Sequence, residues 1–314
     1  MCSVVNLSNV IYAMVSSWFT IKAVEDAMKT ILQSKSKKAI IDTDGPFTMI
    51  GEKINPTGRK KLAAALQEGN LDYVRDLARK QIDAGADLLD VNVGMAGTDD
   101  VDFLPKVVQM LAGEFDIPLC LDSPNPKALA AALPFVVGKP LINSTNGEDR
   151  TLDAVLPLVK EYKAAVIGLT IGEEGISNDP EVRLAAAAKI IERATQMGIP
   201  IEDIVIDPLV MTVGADHNAS TVTLRTIELV RKEFGVNINL GASNVSFGLP
   251  ERDVINQAFL ALAMSAGASC AITDPMKYGL TIKAIDLLRA RDDYGMKYLK
   301  YYRAHPQVVA VAKG

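Results

Sequence analysis

Short apolar runs alternate with helix-like segments along most of the chain, and each run closes on a carboxylate, an amide or a hydroxyl. Eight runs follow one another, at residues 47–55, 87–94, 117–123, 140–146, 164–171, 204–210, 237–245 and 270–275. Continuous apolar runs of this length indicate strands that are buried on both faces of a parallel sheet. A carboxylate at the end of such a strand has no packing role, so these polar ends indicate a ligand site.

The repetition predicts an α/β fold, a (β/α)8 TIM barrel. Eight β-then-α units without a hairpin signal are typical of a closed barrel, in which the carboxyl ends of all strands face one opening. An open doubly wound sheet is the alternative. It usually has fewer strands and binds its ligand on a Gly-rich turn, which this sequence lacks.

Helical segments are predicted after each strand, at residues 60–84, 101–115, 126–133, 151–162, 180–197, 220–234, 251–264 and 280–291. Residues 47–314 form the predicted barrel domain, which ends in a further helix and tail from residue 292. Residues 1–46 are predicted to be an N-terminal extension and linker, with a lysine-rich helix that starts near residue 22. This extension either covers the barrel floor or has little structure of its own. Longer, mobile loops at 172–179 and 211–219 are expected to form a lid or a partner-contacting rim.

Composition limits the function classes. The 314 residues allow one barrel of about 250 residues plus an extension. The net charge is −5 and no basic stripe occurs, so a nucleic-acid partner is not expected. The apolar stretch at residues 10–21 lacks a basic leader and is too short to span a bilayer, so neither export nor a membrane location is predicted. Cys2, Cys120 and Cys270 show no CxxC spacing, which favours a reducing cytoplasm.

Three strand-closing residues suggest recognition of a flat heterocycle. Asp122, Asn143 and Asp207 lie on separate predicted strands and together offer acceptors for N–H groups and a donor for a carbonyl group. The alternative is that each carboxylate caps the next helix or accepts from a nearby loop amide.

Asn244 lies among the small residues of segment 241–246. A neutral amide can stay hydrogen-bonded to a group whose protonation state changes during a reaction. The alternative is an asparagine that stabilises a tight turn.

Metal chemistry and nucleophilic triads are not predicted. His217 and His305 are the two histidines, and neither belongs to an HxxxH or His–Cys cluster. No GxSxG elbow precedes a helix.

Seven of the strand ends carry motifs that resemble those of a known family. They read IGEKIN at 50–55, LDVNVG at 89–94, CLDS at 120–123, INSTN at 142–146, IGLT at 167–170, IDPL at 206–209 and SNVS at 243–246. In this order they resemble the pterin-binding methyltransferases that work with corrinoid proteins, among them methyltetrahydrofolate:corrinoid protein methyltransferases and the tetrahydrofolate methyltransferases of demethylation systems. Seven colinear motifs form a far more specific signal than a single Gly-rich loop.

The resemblance implies a dihydropteroate synthase-like barrel and methyl transfer between N5 of tetrahydrofolate and the cobalt of a corrinoid, a cobalamin carried by a partner protein. The implied direction is from methylcorrinoid to tetrahydrofolate, in the demethylation of methoxylated aromatics, methylamines or betaines. A homodimer is also implied. By the same resemblance Asn244 is the catalytic residue near N5, and the folate-binding residues are Glu52, Asn55, Asp122, Asn143, Asp207, Ser243, Asn244 and Arg252. Arg252 has a second interpretation, as a surface charge.

Two other functions remain open. Dihydropteroate synthase shares the fold and the pterin cradle, but its seventh strand typically ends in Ser-Arg-Lys. Here Ser243, Asn244 and Val245 stand at that place, which favours methyl transfer over pyrophosphate displacement. The third possibility is a non-catalytic folate-binding subunit.

Overall fold

The structure, a computed structural model, describes residues 27–95 and 99–305. Its strands are β1 (Lys29–Gln33), β2 (Lys38–Asp42), β3 (Thr48–Ile54), β4 (Leu88–Val91), β5 (Leu119–Asp122), β6 (Leu141–Asn146), β7 (Ala165–Leu169), β8 (Ile204–Asp207), β9 (Asn237–Ile238) and β10 (Cys270–Thr273). The last eight pair in parallel in the order β10-β3-β4-β5-β6-β7-β8-β9.

The sheet closes on itself between its two outer strands. Ser269 N–H donates to Ile238 O at 3.1 Å, and Ile272 N–H donates to Leu240 O at 2.8 Å. Because these bonds link β9 to β10, the eight strands leave no open edge. The predicted (β/α)8 barrel is therefore confirmed.

Helices follow the strands as the barrel requires. They are α1 (Lys60–Gln67), α2 (Asp72–Asp83), α3 (Asp100–Glu114), α4 (Pro126–Ala132), α5 (Asp149–Tyr162), α6 (Pro180–Gln196), α7 (Ala219–Phe234), α8 (Arg252–Ala266), α9 (Pro275–Leu288) and α10 (Met296–Ala304). Asn125, Asp179 and Asp274 each cap a helix that begins with proline, by accepting the N–H two residues on. No helix in the described part of the chain is long and apolar enough to cross a bilayer.

The N-terminal segment differs from its prediction. A helix and linker were expected up to residue 46, but β1 and β2 form an antiparallel hairpin. Its alternating residues Leu32, Ala39 and Ile41 are buried against the inward side chains at the amino ends of the barrel strands. The described part of the extension therefore plugs the barrel floor, whereas residues 1–26, including the apolar stretch and Cys2, lie outside the described residues. The domain boundary at residue 46 stays a prediction.

Three element bounds were also wrong. The single helix predicted at 60–84 is two helices, because Gly69 adopts a left-handed φ of +68° and Asn70 Oδ1 then accepts the N–H of Asp72. The strand predicted at 237–245 ends at Ile238 and is followed by a 3-10 turn at Ala242–Ser246. The helix predicted at 280–291 begins at Pro275, directly after its cap Asp274.

The predicted terminal helix is present as α10. Tyr301 on this helix is buried and donates its hydroxyl to Ala84 O at 2.8 Å. A side chain at Gly279 would put its Cβ 1.9 Å from the Tyr301 hydroxyl, so the glycine makes room for this contact. The helix therefore packs on the outside of the barrel, between α2 and α9.

Candidate active site

Inward-facing side chains change from apolar to polar toward the carboxyl ends of the barrel strands. Their apolar members at the floor are Ile50, Leu88, Cys120, Leu141 and Val205. Since side chains alternate with a period of two, the next inward positions belong to Glu52, Asp90, Asp122, Asn143 and Asp207. The polar residues therefore gather in one layer at the carboxyl end of the barrel, where barrel enzymes hold their substrates.

One side of this layer is a mesh of amides and carboxylates on three neighbouring strands. Asn92 Nδ2 donates to Asp122 Oδ2 at 2.9 Å, and Asn143 Nδ2 donates to Asp90 Oδ1 at 3.2 Å. Asp122 and Asn143 are register partners on β5 and β6. The pairing between β6 and β7 shifts register after Asn143. The mesh brings together two of the residues predicted from the sequence.

We call Asp122, Asn143 and Asp207 the cradle. Its third residue, Asp207, ends β8 and is buried. Its Oδ1 accepts the N–H of Leu209 at 2.8 Å, and its Oδ2 accepts from Asn239 Nδ2 at 2.8 Å. The backbone N–H of Gly241 also bonds this carboxylate. The alternative interpretation, a carboxylate that accepts from nearby loop amides, therefore applies to Asp207. The carboxylate is held rigidly by the segment that follows its own strand and by the segment after β9.

The turn after β9 brings four more predicted residues together. Ser243 Oγ donates to Glu52 Oε2 at 2.6 Å, which links this turn to the end of β3. Arg252 donates through Nη2 to Ser243 O at 2.6 Å and through Nε to Ser246 Oγ at 3.0 Å. Asn244 is exposed on the same turn, and a side chain at Gly241 would put its Cβ 3.0 Å from Asn244 Nδ2. Small residues thus leave space for the amide, and Arg252 braces the turn that presents it.

The remaining predicted residue and one strand end have local roles. Asn55 Oδ1 accepts the N–H of Thr57 at 3.0 Å, and no side-chain hydrogen bond among the described residues joins it to the polar layer. Its assignment to the folate site stays a prediction. Asp274 caps α9 and forms an ion pair with Lys53, which matches the capping interpretation of a strand-closing carboxylate.

Sequence reasoning missed three members of the layer as site residues, namely Asp90, Asn92 and Asn239. Asn92 follows Asp90 by two positions, so it shares the inward face, and this spacing was a usable signal. Asn239 is 1% exposed and lies inside the predicted run 237–245, where its inward position depends on the register of a strand that proved short.

Burial makes these carboxylates unusual acids. It raises the pKa of Asp122 to about 6, against the opposing bond from Asn92, and that of Asp207 to about 6, against the bonds from Leu209, Asn239 and Gly241. The pKa of Asp90 lies well above its ordinary value, because of burial and then because of the charge of Asp122. Because the two carboxyls titrate as a coupled pair, the negative charge of one disfavours ionisation of the other.

The layer is suited to a planar ligand with N–H donors. Buried carboxylates that are only partly satisfied by the protein gain most from charge-assisted hydrogen bonds. The amides around them can donate or accept and carry no charge. No group of three or more His, Cys, Asp or Glu residues that could hold a metal ion occurs within residues 27–95 and 99–305.

Comparison with known proteins fits this geometry. The family profile described as pterin binding enzyme matches residues 51–274, which run from the middle of β3 to the residue after β10. This chain belongs to that family. The resemblance to pterin-binding proteins that the sequence motifs indicated is therefore confirmed. All eight barrel strands of this pterin binding enzyme lie within or beside the matched range.

Relatives of this pterin binding enzyme include two with named activities. The chain is 32% identical over 263 residues to methylcorrinoid:tetrahydrofolate methyltransferase of Eubacterium limosum, covering 81% of this chain and 96% of the relative. It is 33% identical over 247 residues to methionine synthase of Mycobacterium tuberculosis, covering 74% of this chain but only 21% of that protein.

Solved structures support the fold. Dihydropteroate synthase of Yersinia pestis aligns with a TM-score of 0.63 at 20% identity, over 83% of this chain and 98% of that chain. The enzyme of Vibrio fischeri aligns with a TM-score of 0.60 at 17% identity. At these identities the likeness concerns the barrel alone.

Proposed function

We propose that this protein is a methyltransferase that moves a methyl group from a corrinoid, carried by a separate protein, to N5 of tetrahydrofolate. The observation that carries the proposal is the match to a methylcorrinoid:tetrahydrofolate methyltransferase, because it covers 96% of the length of that relative. The carboxylates and amides at the barrel mouth support it independently. They offer the acceptors that the N–H groups of a pterin ring require.

The cradle residues hold the ring. Asp122 and Asp207 accept ring N–H groups, and Asn143 bonds the ring between them. Because the three side chains sit on rigid strand ends, the ring is fixed in one orientation. Orientation supplies much of the catalysis, since a methyl group must pass in line between cobalt and nitrogen.

Asn244 forms a hydrogen bond with N5, the atom whose protonation changes during methyl transfer. The lone pair of N5 forms the bond to the methyl carbon while the bond from that carbon to cobalt breaks. The electron pair of the broken bond stays on cobalt, and the proton of N5 is released to solvent. An amide can bond N5 before and after this change without ionising, so it stabilises the transition state in either direction. The brace of Arg252 on Ser243 and Ser246 keeps the amide in place.

The rim at the mouth suits a protein partner that carries the corrinoid. Asn178 Nδ2 donates to Asp216 Oδ2 at 3.2 Å, which joins the loop after β7 to the loop after β8. Thr212 Oγ1 donates to Phe247 O at 2.7 Å, which joins the latter to the turn that presents Asn244. Phe247 itself is 68% exposed, and exposed Ile176 and Met211 lie on the same loops. Exposed apolar residues beside a site mark a contact surface.

The homodimer implied by the family remains part of the proposal. Val254 and Leu262 leave an exposed apolar stripe along α8, at 66% and 55% exposure. Light scattering of the purified protein gives the assembly state directly, and a monomer at micromolar concentration would remove the dimer from the proposal.

The activity is tested by incubating the protein with methylcobalamin and tetrahydrofolate and measuring 5-methyltetrahydrofolate. The reverse mixture, with reduced cobalamin, gives the other direction. Asp207→Ala is the matched variant, for which we expect weaker tetrahydrofolate binding with the fold intact. Folate binding without methyl transfer, with free cobalamin and with corrinoid protein, would instead indicate a binding subunit. Product from a pterin pyrophosphate and aminobenzoate would indicate a synthase.

A further inference from the structure

Arg183 is a buried cation close to the cradle. It lies in the first turn of α6 and is 1% exposed. Its Nε donates to Ser177 O at 2.7 Å, and its Nη1 donates to Pro208 O at 2.7 Å and to Leu209 O at 2.9 Å. Nη2 is buried without a hydrogen-bond partner among the described residues. Removing a guanidinium from water without a contacting carboxylate is costly, so its position calls for an explanation.

The backbone that Arg183 holds is the segment that orients Asp207. Leu209 has a φ of 63°, in the left-handed region that a leucine adopts only under constraint. This conformation directs the Leu209 N–H at Asp207 Oδ1. The Leu209 carbonyl is held by Arg183 and by Thr223 Oγ1, the latter at 2.8 Å. The two donors therefore stabilise the conformation that positions the carboxylate.

Arg183 also acts on Asp207 through its charge. The guanidinium lowers the pKa of Asp207 against the larger effect of burial. The other groups that face Asp207 are neutral: the Leu209 and Gly241 N–H groups, the Asn239 amide, and the Cys270 thiol, whose pKa is raised by burial and by Asp207. Among the groups that face Asp207, Arg183 is therefore the one that carries a positive charge.

We propose that Arg183 is a positioning residue that fixes the turn after Asp207 and keeps this carboxylate ionised to accept the ring N–H groups of tetrahydrofolate. The inference rests on the proposed function, because it takes Asp207 to be a folate ligand. Arg183 touches neither the ring nor the reacting atoms. Its effect must therefore appear in the pH dependence of binding, which a purely structural role would leave unchanged.

The test compares two variants by calorimetric titration with tetrahydrofolate between about pH 5 and 8. Arg183→Gln keeps amide donors for the carbonyl oxygens and removes the charge, so the pH at which affinity is half lost should rise by about 0.5 to 1 unit. Arg183→Lys keeps the charge with fewer donors, so affinity should fall without that shift. In an Asp207→Asn background, Arg183→Gln should not move the pH midpoint of binding, because Asp122 is then the cradle carboxyl that still titrates.

Thr223→Val is the control for the turn. It removes the second donor to Leu209 O without changing any charge, so it should weaken binding by a similar factor at every pH. An Arg183→Gln curve with the wild-type midpoint would overturn the inference, as would an equal shift in Thr223→Val. If Arg183→Gln does not fold, Arg183→Lys decides, since wild-type affinity or a moved midpoint contradicts the proposed role. A wild-type protein that binds no folate would refute the proposed function instead.

Discussion

Asn92 Nδ2 donates to Asp122 Oδ2 across the gap between β4 and β5, at 2.9 Å. Among the described residues, the side chain of Asp122 makes this one hydrogen bond. Its other oxygen is therefore available to a ligand. Burial nevertheless raises the pKa of this carboxyl to about 6. The ligand-free protein therefore carries at neutral pH a charge that its surroundings satisfy only in part.

Replacing Asp122 by Asn should stabilise the ligand-free protein at neutral pH. The folded-state pKa of about 6 lies above the ordinary value of 3.8. Wild-type stability relative to the variant is thus highest below about pH 4 and is lost as the pH rises through 6. Two pKa units correspond to about 2–3 kcal/mol of unfolding free energy. Urea unfolding of both proteins at about pH 4 and 7.5 measures the change, and a difference that is the same at both pH values would contradict it.

Asn239 lies at the mouth of the barrel, whereas Asn237, two residues earlier, lies at its floor. Asn239 bonds Asp207, whereas Asn237 Nδ2 bonds Thr30 Oγ1 at 3.0 Å and Ile41 O at 2.9 Å in the hairpin plug. Hydrogen bonds to a charged group contribute about 1.5–3 kcal/mol, so Asn239→Ala should raise the Kd for tetrahydrofolate about tenfold or more. Asn237→Ala should lower the melting temperature and leave the Kd near wild type. Equal effects of both variants on the Kd would argue against Asn239 as a cradle residue.

The cradle residues were predictable from the sequence because the pattern of each single strand identifies its polar end. Asp122, Asn143 and Asp207 each close an apolar run, and the period of two places them on the inward face without knowledge of other strands. Arg183 gives no such signal, because an arginine in the first turn of a helix resembles a solvated charge. Its partners Pro208 and Leu209 lie 25 and 26 residues away and meet it only once the loop after β8 has folded.

The hairpin plug was missed for a different reason. Ser34, Lys35, Ser36 and Lys37 join its strands without the glycine or asparagine that usually marks a tight turn. The turn is instead held by Asp116, whose Oδ1 accepts from Ser34 Oγ at 2.7 Å and from the Ser36 N–H at 3.0 Å. A carboxylate 80 residues away thus replaces the local turn signal.

Gly51 should tolerate no side chain. A Cβ at this position would lie 2.5 Å from Gln81 Oε1, the atom that accepts the Lys53 N–H at 2.8 Å. Gly51→Ala should therefore cost about 1–3 kcal/mol of stability and disturb Glu52, so that folate binding weakens too. Gly113→Ala is the matched control. Nothing lies within 4 Å of a Cβ there, in helix α3, so denaturation should show the control at wild-type stability or up to about 1 kcal/mol higher.

Asn244→Ala should separate catalysis from binding. The amide is exposed on a turn that is braced from behind by Arg252 and tied to Glu52 through Ser243, so its removal leaves these contacts in place. Losing one transition-state hydrogen bond lowers kcat about 10²-fold or more, whereas the cradle keeps the Kd for tetrahydrofolate within a few-fold.

Single-turnover methyl transfer from methylcobalamin measures the rate of the chemical step, and calorimetry measures the Kd for tetrahydrofolate. Asn70→Ala, in the exposed turn between α1 and α2, is the asparagine control. Unchanged turnover in Asn244→Ala would remove the residue from the mechanism. Weaker affinity with an unchanged kcat would make Asn244 a cradle residue like Asp207, because removing a group that bonds the ring equally in the ground state and the transition state weakens binding and leaves kcat unchanged.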